Sequence, residues 1–362
     1  MNTVKVNLKD RSYNIIVGCG IIKSLGSYLR KLKLGSDAYV ITNAPIKNKY
    51  GKTLNKTLKD AGLTVRFKTV PDSEKSKSIK ILSAVINDIA SYDKNRRIFI
   101  IAFGGGVIGD LAGFVASVYK RGVGYIQVPT TLLAQVDSAI GGKTAVDLAH
   151  GKNLVGAFYQ PGLVFSDVDL LKTLNLRQLR SGLAEVIKYA IIKDPYLFSY
   201  LEKKYKDILS LKPAALELIV ERSSRIKADV VSKDEKEQKG IRTILNFGHT
   251  IGHAIEAAGD YASYNHGEAV ALGMLVASDL SRRLGFLKDK TAQRIENLIK
   301  IVRLPARIKN IPSRAIIRAY YHDKKFIGAK NRLVLIQGIG RTKIAENIPL
   351  KIIEGTLKER LD

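Results

Sequence analysis

Two short runs of alternating apolar and polar residues, 3–8 and 13–17, flank Lys9-Asp-Arg-Ser and predict an antiparallel hairpin. Beyond them the pattern switches repeatedly between strand and helix periods. Helical periodicity over 21–32, 48–61, 78–91 and 107–120 alternates with strand-type runs at 38–42, 65–70, 98–103, 125–128 and 163–165. Strands separated by helix-length segments imply right-handed crossovers and a parallel sheet. From about Asp169 onward the chain reads as long amphipathic helices, with a late hairpin at 332–337 and after Gly340. We therefore expect two domains, an α/β one over residues 1–175 and a mainly α-helical one over 176–362. No internal repeat or low-complexity tract interrupts them.

Residues 98–118 are long enough to span a bilayer and carry one charge, Asp110. Yet Arg96-Arg97 precede a run of strand type, and three consecutive glycines then interrupt it, which is costly inside a spanning helix. A buried strand, a glycine turn and a buried helix account for it better, so no membrane partner is expected. The 362 residues, 46% hydrophobic, suffice for two cores. A single cysteine, Cys19, excludes an internal disulfide and fits a reducing, cytoplasmic setting. The start of the chain lacks the apolar core of a signal peptide. The net charge of +27 fits nucleic acid, a membrane surface or acidic substrates. Its lysines, however, are scattered, without a polybasic tail or interleaved aromatics, so we expect a solvated surface and no nucleic-acid partner.

Three of the five histidines fall close together in Asn246-Phe-Gly-His249-Thr-Ile-Gly-His253 and Asn265-His266-Gly-Glu268. His249 and His253 share one helix face, and His266 follows a Gly-Asp turn that allows it to fold back. Two histidines with a carboxylate, one position left open, are typical of a catalytic zinc. Spacing leaves the third ligand open.

Gly104-Gly105-Gly106-Val107-Ile-Gly109-Asp110 follows a strand and opens a helix, where free N–H groups and the helix dipole favour an anion. An ordinary dinucleotide fold carries this fingerprint in its first βα turn, with an acid about twenty residues on. Here it comes late and lacks that acid. The motif alone fits a packing turn equally well; the functional reading is a modified dinucleotide-binding topology, with Asn43 facing the adenosine ribose. A second cluster holds Thr130, Thr131, Asp137, Ser138, Gly141-Gly-Lys143-Thr and Gly151-Lys152-Asn153. The Walker pattern would need glycine where Asp137 stands, which excludes a nucleoside-triphosphate loop. We read its lysines as functional groups in uncharged, glycine-bearing loops.

Together with Asp72-Ser-Glu74-Lys75-Ser-Lys77, Gly182-Leu-Ala-Glu185-Val-Ile-Lys188 and Asp323-Lys324-Lys325, these motifs resemble the 3-dehydroquinate synthase family, in one order over residues 40–340. The resemblance implies an NAD-using lyase whose cofactor ends unchanged. An anionic sugar-acid phosphate, 3-deoxy-D-arabino-heptulosonate 7-phosphate, is oxidised at its C5 hydroxyl, and this acidifies the neighbouring C–H so that phosphate leaves. Hydride then returns, the ring opens and an aldol step closes the carbocycle. The family's zinc or cobalt ligands match Glu185, His249 and His266. Its substrate-side positions match Lys143, Lys152, Asn153, Lys188, Lys227, Arg242, Asn246, His253 and Lys324, with Arg121 reaching in from a neighbouring subunit of a homodimer. Its NAD contacts match Asn43, Asp72, Glu74, Lys75, Lys77, the glycine turn through Asp110, Thr130, Thr131, Asp137, Ser138, Lys143, Lys152, Leu170, Leu171, Lys172 and Thr173.

The chain departs from the family pattern in three places. Ser73 replaces a usual glycine, Asn43 a common aspartate, and the stretch 234–240 is one residue longer. Rival readings are another sugar phosphate cyclase, whose substrate lacks the carboxylate, a metal-dependent glycerol-type dehydrogenase, which would release NADH, and a basic nucleic-acid-binding protein.

Overall fold

The computed structural model describes residues 1–321 and 331–362. In the first half, strands β1 (Asn2–Val6) and β2 (Tyr13–Gly18) form the expected hairpin, followed by α1 (Leu25–Leu32), β3 (Asp37–Asn43), α2 (Ala44–Asp60) and β4 (Thr64–Val70). Then come α3 (Ile79–Tyr92), β5 (Ile98–Gly104), α4 (Gly106–Val118) and β6 (Tyr125–Pro129). A hairpin of β7 (Lys143–Leu148) and β8 (Gly151–Phe158) precedes β9 (Leu163–Asp167). The second half runs through α5 (Leu176–Lys193), α6 (Pro195–Leu209), α7 (Pro213–Lys233), α8 (His249–Ala258), α9 (His266–Arg283), α10 (Asp289–Ile301) and α11 (Ser313–Tyr321). Strands β10 (Arg332–Gly338) and β11 (Arg341–Glu346) and helix α12 (Leu350–Glu359) close it.

The chain forms two compact units, Met1–Leu174 with Leu216–Lys236, and Asn175–Ala215 with Glu237–Asp362. The first is built on a seven-stranded sheet in the order β1-β2-β9-β6-β5-β3-β4, parallel except for the β1–β2 pair. β5 shows why the sheet is buried on both faces. Its side chains alternate, Ile98, Ile100 and Ala102 packing into a core with α3 and α4, while Phe99, Ile101 and Phe103 join one with α1 and α2. Thus the span-length run 98–118 is a strand and a helix, and no described helix is long and apolar enough to cross a membrane.

Most of α7 belongs to this first unit. Lys227 donates to Asp137, Asn7 N–H donates to the Ser232 hydroxyl, and Gln160 donates to Glu235 just beyond the helix. In the second unit α9 is buried along most of its length, and α5, α8, α10 and α12 pack around it. Glycines of α9 let its backbone approach the start of α8 and the backbone of α5 closely. A Cβ on Gly273 would lie 1.9 Å from the Gly248 carbonyl oxygen, and one on Gly267 2.2 Å from that of Ser181.

Candidate active site

In the sheet, β3 has β4 on one side and β5 on the other, so the winding direction reverses between β3 and β5. In open α/β sheets the crevice at the carboxyl ends of the strands at such a reversal receives ligands. Asn43 ends β3, Gly104 ends β5, and Thr130 and Thr131 follow β6. Gly105 caps α4 in ordinary extended backbone (φ −77°), and none of the four motif glycines has a positive φ. Space, not backbone conformation, demands them. A Cβ on Gly105 would sit 3.0 Å from the Thr131 methyl, and one on Gly106 2.9 Å from the Ser138 hydroxyl. Thr130 N–H donates to the Gly104 carbonyl (2.9 Å), so the end of β6 backs the turn. The result is a crowded strand-to-helix turn at the N-terminus of a 13-residue helix, the geometry that accepts a phosphate. Val107 lies on that helix's first turn.

Asn43 is a helix cap: its side-chain oxygen accepts from Ile46 N–H (3.0 Å) and its amide donates to Asp72 (2.6 Å). An aspartate there would face a second carboxylate, whereas asparagine leaves one negative charge, on Asp72. Ser73 stands in extended backbone that any residue adopts, so the glycine is replaced without strain. Glu74 and Lys75 are exposed on the turn that follows. Leu170 and Leu171 are buried on the turn after β9, where Lys172 pairs with Asp169 at 2.5 Å and Thr173 donates to the Leu170 carbonyl.

Lys77 is buried, and its ammonium donates to Asp110 (2.7 Å) and to Asn153 (2.5 Å). Burial pushes the Asp110 carboxyl up to about 6, against the opposing pull of Lys77. The segments carrying Lys143, Lys152 and Asn153 are not loops, as the sequence suggested, but the β7–β8 hairpin. Lys143 opens β7; Lys152 and Asn153 start β8, where Asn153 N–H donates to Asp147 and the residue takes φ 55°. Lys143 and Lys152 are exposed. Lys227 contacts Asp137 twice, at the carbonyl (2.8 Å) and the carboxylate (2.5 Å). Exposed Arg121 lies in a turn of three positive φ values, Lys120, Arg121 and Gly122.

The second unit brings Glu185 of α5, His249 at the start of α8 and His266 at the start of α9 together, one ligand atom of each within 4.8 Å of the others. His249 Nε2 lies 3.4 Å and His266 Nε2 3.6 Å from Glu185 Oε1. The opposite ring nitrogens are otherwise engaged: His249 Nδ1 faces the Phe247 carbonyl at 3.2 Å, and His266 Nδ1 faces Glu256 at 3.4 Å. Two imidazole Nε2 atoms and a carboxylate are thus aimed at one point, a donor set that fits a divalent cation with an open position. Burial, with the nearby Lys188 charge, holds His249 well below its ordinary pKa, so it is neutral and able to ligate. Burial also disfavours a charged His266, but Glu185 and Glu256 overcome it and push that ring up to about 10.

Asn265 and Glu268 form a reciprocal cap at the start of α9, and Arg177 grips Glu268 through both carboxylate oxygens. His266 is therefore fixed at its backbone. Lys188, one turn after Glu185, is buried and in contact with it. The His253 ring is 5.4 Å from that of His249 and 6.0 Å from that of His266, and it groups with Glu256 and His266, apart from Glu185. Buried Arg242 lies 3.2 Å from Glu237, and the stretch before it turns with positive φ at Glu237 and Gly240. Asn246 ends the turn leading to α8. Lys324 lies outside the described residues. Glu256 was not singled out in the sequence, although it follows His249 by seven, on the same helix face.

The family model for the 3-dehydroquinate synthase N-terminal domain matches residues 67–181, and that for the C-terminal domain residues 182–326. A 3-dehydroquinate synthase of Nitrosococcus oceani is 46% identical over 358 residues, 99% of either chain; one of Desulforamulus reducens is 45% identical over 349 residues, 96% of this chain and 97% of that one. Among solved structures, a 2-deoxy-scyllo-inosose synthase complexed with carbaglucose-6-phosphate, NAD+ and Co2+ superposes with a TM-score of 0.90 at 26% identity, over 99% of this chain and 100% of that one. A glycerol dehydrogenase from Schizosaccharomyces pombe (TM-score 0.69, 19% identity, 95% and 88% covered) shares the fold.

Proposed function

The chain belongs to the 3-dehydroquinate synthase family, and we propose that it converts 3-deoxy-D-arabino-heptulosonate 7-phosphate to 3-dehydroquinate and phosphate in the shikimate pathway. The observation that carries the reading is the convergence of Glu185, His249 and His266 beside Lys188, in a chain that also holds the glycine turn at a sheet reversal. When bound, a divalent cation would polarise the C5 hydroxyl, and NAD would take up and return the electron pair, ending unconsumed.

Glu185, His249 and His266 would hold the cation. Gly104, Gly105 and Gly106 would seat the nucleotide pyrophosphate, and Asn43, with Asp72 beside it, would face the adenosine ribose. Lys143, Lys152, Asn153, Lys188, Lys227, Arg242, Asn246, His253 and Lys324 would neutralise and orient the substrate's carboxylate and phosphate. Once C5 is a ketone, the adjacent C–H bond breaks, its electron pair forms the new double bond, and the C–O bond to phosphate breaks with the electrons leaving on phosphate. The leaving phosphate carries the proton away, so no separate protein base is required. Arg121 would serve a neighbouring copy in a homodimer.

The experiment supplies purified protein with this substrate and NAD, and follows phosphate and absorbance at the NADH band. Phosphate should appear in step with substrate loss while NADH stays at baseline. His249→Ala should lose stoichiometric metal and activity together. Accumulation of NADH over many turnovers would instead establish a dehydrogenase, and equal turnover of a substrate lacking the carboxylate another cyclase.

A further inference from the structure

His249 and His266 are held differently at the nitrogens that face away from Glu185. Behind His249 stands a neutral backbone carbonyl; behind His266 stands the carboxylate of Glu256, 3.4 Å from Nδ1. Glu256 is itself largely buried, its side chain only 10% exposed, and it comes from α8 while His266 opens α9. His249, His253 and Glu256 fall at i, i+4 and i+7, so one face of α8 supplies a ligand and, two turns later, the group behind the other histidine. We propose that Glu256 is a positioning residue for the cation. It accepts a hydrogen bond from His266 Nδ1–H, so that a cation displacing the Nε2 proton meets the tautomer whose Nε2 lone pair faces the Glu185 side, and it makes that imidazole the more strongly donating of the two. A carboxylate behind a ligating histidine is a general device for orienting the ring and raising its basicity.

The inference rests on the metal reading above, since it assigns a role toward the same cation. A competing use of the same atoms also exists. His253, Glu256 and His266 lie close enough together to hold an ion of their own, with His266 Nδ1 as ligand in place of hydrogen-bond donor. The two uses exclude each other at that nitrogen, and metal stoichiometry separates them.

The test measures zinc content and zinc dissociation constant, by competition with a chromogenic chelator, for the wild type and for Glu256→Gln and Glu256→Ala, without substrate. Cobalt-loaded samples supply a visible spectrum that reports ligand geometry directly. One ion per chain is expected in all three proteins. Affinity should fall about 10- to 100-fold in Glu256→Ala. It should fall less in Glu256→Gln, which still accepts from Nδ1–H but without charge, and the cobalt bands should shift in the alanine variant. Far-ultraviolet circular dichroism and thermal unfolding, which report on the helical second unit that carries Glu256, serve as the folding control. Unchanged zinc affinity in a folded Glu256→Ala would overturn the inference while leaving the metal site standing. Two ions in the wild type and one in Glu256→Ala would overturn it in favour of Glu256 as a ligand. A wild type that binds no zinc would bring down the metal reading itself.

Discussion

Single residues in this protein are constrained by what stands a few ångströms behind them. The glycine turn is the plainest instance. Gly105 has an ordinary negative φ, so an L-residue is permitted by its backbone, and the obstacle is Thr131, 3.0 Å from where a Cβ would sit. Gly105→Ala should thus be nearly tolerated by the fold. Gly105→Val adds two methyls that must push either into Thr131 or into the space over the α4 N-terminus. We expect NAD affinity to fall by at least about tenfold, roughly 1.4 kcal/mol. Isothermal titration of the folded variant checks it, and unchanged affinity would mean that the glycines serve packing alone. The same scale explains what spacing could and could not read. Two histidines one turn apart were visible as a pair, but Glu185 lies far upstream on another helix, and only the family resemblance, not spacing, pointed to it.

Elements were legible where one period dominates. The sheet's central strands are continuous apolar runs because both faces are covered, and the helices around them keep a clear apolar stripe. The β7–β8 hairpin was missed because exposed lysines and glycines blur its alternation; Gly156 is there because a Cβ would lie 2.0 Å from the Thr144 carbonyl of the paired strand. At the far end of the chain, α12 buries Ile353 and Leu357, and the residue that follows it adds a buried ion-pair network. Arg360 donates to Asp279 of α9 (2.6 and 3.1 Å) and to Glu296 of α10 (2.8 Å), all three side chains being mostly buried. The Arg360 hydrogen bond, opposed by burial, holds Glu296 down to about 2. A depressed carboxyl stabilises the fold fully above its unfolded value near 4.5 and loses that contribution as pH falls toward 2. Arg360→Ala should therefore lower stability by about 2 kcal/mol at neutral pH. The gap between variant and wild type should hold from pH 8 to 5 and narrow between about 4.5 and 2, read from denaturant melts across that range. A gap independent of pH would assign the effect to lost packing of the arginine stem.

At the scale of the whole molecule, the sequence pattern changes near residue 175, and the compact units divide there as well, yet 216–236 returns to the first unit. Nothing in an amphipathic helix states which core its apolar face will join; only the tertiary partners of Lys227, Ser232 and Glu235 do. The net charge of +27 is also a property of the whole chain, and it has a kinetic consequence if the substrate is the proposed sugar-acid phosphate. Scattered surface lysines add little to stability, but together they set up a long-range field that raises the encounter rate of an anion. That field is screened over about 10 Å at 0.1 M salt and about 30 Å at 0.01 M. Raising ionic strength across this range should lower kcat/KM by roughly three- to tenfold while kcat stays level, because steering acts before the bound state forms. The Lys188 and Arg242 side chains, proposed above to bind substrate, are buried and less screened, and should hold kcat. Simple competition by the added anion would also raise KM, but in proportion to the identity of the anion. Steering follows ionic strength alone, so chloride, acetate and a zwitterionic control at matched concentrations separate the two. A kcat/KM that ignores salt would leave the positive charge with a role in solvation and none in catalysis.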